Sequence, residues 1–177
     1  MIEQGTMPAL RRSEWSEIQA NGAASIVERV AQLQAEAVGG EWSAEALQCL
    51  SGEQITLWAY ATLRNELMEG GFVQLICNGY ADLFFRNPFA YAMRLWGVDE
   101  LGRLINKAAR IYKRHGAALR QESAVAGDSE DEFMALYEKF PQYDALDDLF
   151  VAHEETYTEM IAHYIQENEA HFLRLVE

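Results

Sequence analysis

The chain has 177 residues, half of them hydrophobic, with 4 Trp, 8 Tyr and 8 Phe, and a formal net charge of −14. So much apolar area excludes a disordered acidic tail, because it can build a core that offsets the entropy of ordering. Only 3 prolines and 12 glycines interrupt it. Ala and Leu outnumber Val, Ile and Thr, a balance that favours helix over sheet.

The first twenty residues read as an N-terminal extension, with Trp15 and Ile18 as anchors. Met1 to Arg12 contain no apolar h-region, so no signal peptide is expected. Residues 21–177 read as one helical domain. Asn21 is placed to cap a first helix running to Val38, whose apolar face carries Ile26, Val27, Val30 and Leu33 at helical spacing. Gly39-Gly40 ends it, and Ser43 opens a short helix through Cys49. Ser51-Gly-Glu-Gln54 fits a capping box, with Leu50 and Ile55 as its hydrophobic staple. The helix that follows is apolar around much of its circumference (Leu57, Trp58, Tyr60, Ala61, Leu63), which predicts a central, buried position. Gly70-Gly71 breaks it, and a short helix follows from Phe72 to Asn78.

Asn87-Pro88 predicts another start, closed by Gly97. Asp99 is then read as the cap of a long helix to about Arg120. On it Leu101, Leu104, Ile105, Ala108 and Tyr112 face inward, while Arg103, Lys107, Arg110 and Arg114 form an outer basic stripe. Ala124 to Asp128 reads as a loop. Ser129-Glu-Asp-Glu132 is a further capping box, opening a helix to about Lys139. The last long helix runs from about Tyr143 to Asn168. The expected fold is therefore all-α, a single-domain bundle of about seven or eight helices.

Charge is unevenly distributed. Asp128 to Glu177 hold 14 acids and two bases, whereas Arg86 to Arg120 hold eight bases and two acids. At 100° per residue, Asp148, Glu155 and Glu159 fall within about 60° of Asp144 on the last helix, and Asp147 and Glu154 flank them. Leu146, Leu149, Phe150, Tyr157, Met160, Ile161 and Tyr164 take the opposite side. The six carboxylates thus read as one stripe, about one charge per 4 Å, against one phosphate per about 3.4 Å along a DNA strand. The stripe contains almost no Lys or Arg, although a face kept only for solubility usually mixes signs. An acidic field repels nucleic acid and anionic membranes and attracts basic proteins.

Catalytic signatures are missing. There is no G-x-S-x-G, no GxGxxG and no P-loop. Glu159 and His163, like Glu167 and His171, are four apart, where a di-iron site needs Glu-x-x-His on two helices. Cys49 and Cys77 form neither a CxxC pair nor part of a zinc quartet. The reading is a non-enzyme without metal or cofactor. With no run of about 18 apolar residues, no membrane span is expected, and two thiols without an export signal point to the cytoplasm.

Leu50-Ser-Gly-Glu-Gln-Ile-Thr-Leu57, Glu66-Leu-Met-Glu-Gly-Gly-Phe-Val-Gln74 and Asn78-Gly-Tyr80, with Leu136-Tyr-Glu-Lys-Phe-Pro141 and Leu146-Asp-Asp-Leu-Phe150, carry a resemblance. Over roughly residues 45 to 168 the chain resembles a bacterial, all-helical DNA-mimic family of neisserial type, most of whose members are uncharacterised. Two departures stand out: Glu69 where the family commonly has Asn, and Leu75 where it often has an aromatic. The resemblance implies a homodimer that occupies the DNA-binding face of a basic regulator. Here Asp144, Asp147, Asp148, Glu154, Glu155 and Glu159 would supply the phosphate surrogates. Two alternatives stay open. One is a structural or regulatory partner protein without mimicry. The other is an enzyme or small-ligand binder with a pocket near Gly70 to Tyr80.

Overall fold

A computed structural model describes residues 7–126 and 129–177. Among them the protein is all-α, 80% helical, with nine α-helices and two three-residue strands. Gly127 and Asp128, the end of the expected loop, lie outside the described residues, as do residues 1–6 of the N-terminal stretch.

The chain forms two compact units. The first comprises residues 1–62 and 155–177, the second residues 63–154. Two helices run from one unit into the other: α4 (Gly52–Cys77) and α9 (Asp144–Glu167).

The first unit contains β1 (Ala9–Arg11), α1 (Arg12–Ala20), α2 (Ala23–Ala37), α3 (Ala44–Cys49) and β2 (Arg174–Val176). The strands pair in parallel, Leu10 opposite Leu175, a pairing that no alternation in these short segments announced. Trp15 is buried and its indole N–H donates to Glu169 at 3.0 Å. Asn21 does not cap α2; it closes α1, its N–H donating to the Glu17 and Ile18 carbonyls, and Gly22 takes the cap position of α2. The capping box at Ser51 forms as expected, Ser51 N–H donating to Gln54 Oε1 at 2.8 Å and Gln54 N–H to Ser51 Oγ at 3.2 Å. Leu50 and Ile55 join Trp58 and Trp42 in one apolar cluster, with the two indoles stacked at 3.8 Å. Buried polar groups are satisfied in a chain. Gln54 donates to Gln34, Gln34 donates to the Phe172 carbonyl, and the hydroxyls of Tyr60 and Thr158 share a hydrogen bond at 2.8 Å.

The second unit holds the rest of α4 with α5 (Ala81–Phe85), α6 (Phe89–Leu95), α7 (Asp99–Val125), α8 (Glu130–Lys139) and the start of α9. The periodicity of α7 is as read: Leu101, Leu104, Ile105 and Ala108 are buried, and Arg103, Lys107, Arg110 and Arg114 are exposed. The helix continues to Val125, past Arg120, so Ala124 and Val125, read as the start of a loop, are helical. Asp99 is its first residue; Val98 is the cap and contributes no side-chain bond. Close packing of α6 on α7 requires Gly102, where a Cβ would lie 2.7 Å from the Ala90 carbonyl oxygen. Ser129 and Glu132 form the reciprocal box that opens α8.

The break in α4 is real. Gly71 sits at φ 69° and ψ −167°, a conformation essentially confined to glycine.

Candidate functional site

The six carboxylates of α9 divide into two groups once their surroundings are known. Asp148, Glu155 and Glu159 are exposed, and none makes an ion pair among the described residues. They lie within about 40° of one another on the helix over a length of about 16 Å. Asp144 is half-buried, and its Oδ1 has no hydrogen-bond partner among the described residues.

Asp147 and Glu154 correct the expected six-membered stripe, for each is only 7% exposed. The physical reason is local in both cases. Asp147 faces the break in α4, where the helix restarts without a residue of its own to satisfy the first N–H groups. Its Oδ1 accepts from the Phe72 N–H at 2.9 Å, and its Oδ2 accepts from the Tyr137 hydroxyl at 3.2 Å. A side chain at position 71 would overlap this carboxylate. Asp147 is thus a cap supplied from a distant helix. Burial pushes its carboxyl up to about 6, against the hydrogen bonds from Phe72 and Tyr137, which pull it down. Glu154 accepts from Arg64 on α4 in a largely buried ion pair.

The apolar side of α9 also differs from the angular reading. Leu149 and Met160 were placed on the packing face, yet they are 37% and 38% exposed, and Val151 is 53% exposed. The solvent face of α9 therefore mixes carboxylates with apolar side chains. Charge density along it is correspondingly lower, roughly one carboxylate per 5 to 8 Å. The exposed acids of α8, Glu130, Asp131 and Glu138, were not singled out in the sequence. The helix carries Phe133 and Met134 to the same pocket as Asp148. The signal that could have found them was the charge run itself, read there only as a capping box.

That pocket, of about 330 Å³, lies at the Gly70-Gly71 break and is bordered by Phe133, Met134, Tyr137, Asp148 and Val151. Concavity near Gly70 to Tyr80 thus exists. Cys77 is half-buried, and burial pushes its thiol up, outweighing a hydrogen bond with Ser123 that lowers it; a reactive cysteine needs the opposite. Among the described residues no three His, Cys, Asp or Glu side chains could hold a metal ion. His163 faces Glu167 rather than Glu159, and His171 faces Glu53 at 2.7 Å rather than Glu167. No helix is long and apolar enough to cross a membrane, again among the described residues.

The model of the DMP19-like protein family matches residues 48–168. The chain is 34% identical over 124 residues to a Neisseria meningitidis serogroup B protein named DNA mimic protein DMP19, covering 70% of this chain and 73% of that one. The chain belongs to the DMP19-like family. The match takes in the Ser51 box, the Gly70-Gly71 break with its cap at Asp147, and all of α9, so the family region contains every carboxylate of α8 and α9 discussed above. It stops short of β2, and it leaves β1, α1 and α2 unmatched.

Proposed function

We propose that this chain is a non-enzymatic binding protein that presents the exposed carboxylates of α9 to the DNA-binding face of a basic protein. The observation that carries the reading is the alignment of Asp148, Glu155 and Glu159 on one helical face without an ion pair among the described residues. The name of the neisserial relative supports it. Of the six residues first assigned, Asp147 and Glu154 serve the fold, and Asp144 contributes at most an edge. Leu149, Val151 and Met160 supply the apolar contacts that a protein interface needs and a phosphate backbone does not offer. Neutral carboxamides in place of these acids would leave shape and helix intact. We further propose that the protein acts in the cytoplasm as a homodimer.

The test is displacement. A basic DNA-binding protein retained from a bacterial lysate at low salt is loaded with its DNA and challenged with this chain. Asp148→Asn/Glu155→Gln/Glu159→Gln is compared with Glu17→Gln/Glu41→Gln/Glu45→Gln, an equal loss of exposed charge elsewhere. The expected outcome is that only the α9 variant fails to release DNA. Equal weakening of both would reduce the effect to net-charge steering. Displacement by neither wild type nor variants would sink mimicry and leave the second reading, a partner protein that uses the apolar residues of α9 for assembly.

A further inference from the structure

Within the second unit, α5 and α7 border a groove of about 600 Å³ whose rim carries Arg86, Arg110, Lys113 and Arg120. Its floor is aromatic. Phe85 and Tyr112 pack with ring centroids 5.0 Å apart, and Tyr112 can lie along α7 because a Cβ at Gly116 would overlap its ring. The Arg120 guanidinium is held over that ring, 5.5 Å from its centroid, and Arg86 is held by Asp82 at 3.2 Å. Arg110 and Lys113 make no ion pair among the described residues, in a chain with 28 acids and 14 bases. Four cations gathered at one concavity repel one another. In a protein with acids to spare, leaving two of them without a carboxylate keeps the groove open to an anion from outside.

We propose that this groove binds a polyphosphate group. Three of its four cations are guanidiniums, whose planar forks match phosphate oxygens in pairs, whereas one carboxylate would engage a single fork. The volume lies in the range of small-molecule sites. The charge of the whole chain disfavours a long polyanion such as nucleic acid, which would extend past the groove into a repulsive field. A compact, multiply charged group meets only the local cations. The site is separate from the carboxylates of α9 and does not depend on their role.

The polyphosphate could belong to a nucleoside polyphosphate or to an inorganic chain, and titration calorimetry at 100 mM salt with ATP, sodium tripolyphosphate and adenosine distinguishes them. Saturable binding of ATP or tripolyphosphate, weakened at least tenfold by Arg110→Gln/Lys113→Gln, is expected. Tighter ATP assigns the nucleotide; equal affinities assign the inorganic group. The control, Arg103→Gln/Lys107→Gln, removes two charges from the same helix outside the groove and should change affinity less than twofold. Thermal melts of both variants check that each is folded, and Lys113→Glu provides a single exposed replacement with the same expected loss. No saturable binding of either phosphate, equal loss in groove and control variants, adenosine binding as tightly as ATP, or tighter binding of a single-stranded oligonucleotide than of tripolyphosphate would each overturn the assignment.

Discussion

Substituting Gly71 by alanine separates two costs that the structure stacks at one residue. Backbone at φ 69° and ψ −167° strains any L side chain, by about 1 to 3 kcal/mol. The new Cβ would also overlap the Asp147 carboxylate. If the carboxylate moves away, the buried Phe72 N–H loses its acceptor, a further cost of about 1 to 3 kcal/mol. Gly71→Ala should therefore destabilise the protein by about 2 to 6 kcal/mol, at about 2 to 4 °C in melting temperature per kcal/mol for a chain of this size. Gly79 is the control. Its φ is 85°, but nothing lies within 4 Å of a Cβ placed there, so Gly79→Ala should show the backbone cost alone. Thermal and denaturant melts of both variants, with Gly71→Ala/Asp147→Ala as a third, give the partition. An unchanged melting temperature for Gly71→Ala, or a loss no larger than that of Gly79→Ala, would refute the idea that this glycine makes room for Asp147.

The raised Asp147 pKa predicts a pH dependence of definite sign. Between about 4 and 6 the unfolded chain ionises at this residue while the folded chain holds its proton, so stability is present at the low end and is lost as pH rises through about 6. Asp147→Asn should abolish that component, worth on the order of 3 kcal/mol, in melts recorded across the window; an identical pH profile in the variant would contradict it. Glu154→Ala removes the carboxylate facing Arg64 and should cost about 3 kcal/mol, whereas Arg64→Met/Glu154→Leu should recover most of it. Equal stability of the single and double variants would assign no coupling to the pair. In far-UV circular dichroism the wild-type spectrum should be dominated by helix.

Local chemistry made most of the fold legible. Ser43, Ser51 and Ser129 each satisfy N–H groups that any helix start leaves open, and such a demand is written within four residues. The apolar spacing of α7 is equally local. What could not be read depends on contacts between segments far apart in sequence. Asp147 lies at the edge of a helical wheel's acidic sector, and only the break in α4 turns it inward. Glu154 looks identical to Glu155 until Arg64 is placed beside it. Leu149 and Met160 were expected inside because a helical wheel cannot know where neighbouring helices end. Asn21 is a good cap by type, but the chain already bends at Gly22, so its own amide serves the preceding helix. The acidic face was therefore legible as a helical sector, but the burial of Asp147 and Glu154 within it was not.

The parallel pairing of β1 with β2 joins residues 9–11 of the first unit to residues 174–176. Segments 1–62 and 155–177 meet only across the whole intervening stretch, whereas residues 63–154 are continuous. On the ribosome the second unit can collapse as it emerges. The first can set Leu10 opposite Leu175, and give Trp15 its Glu169 partner, only after residues 63–154 have been made. Leu10 and Trp15 thus wait for these partners through the synthesis of the whole second unit. A chain cut before residue 169 would lack both Glu169 and β2 while keeping the acids of α9.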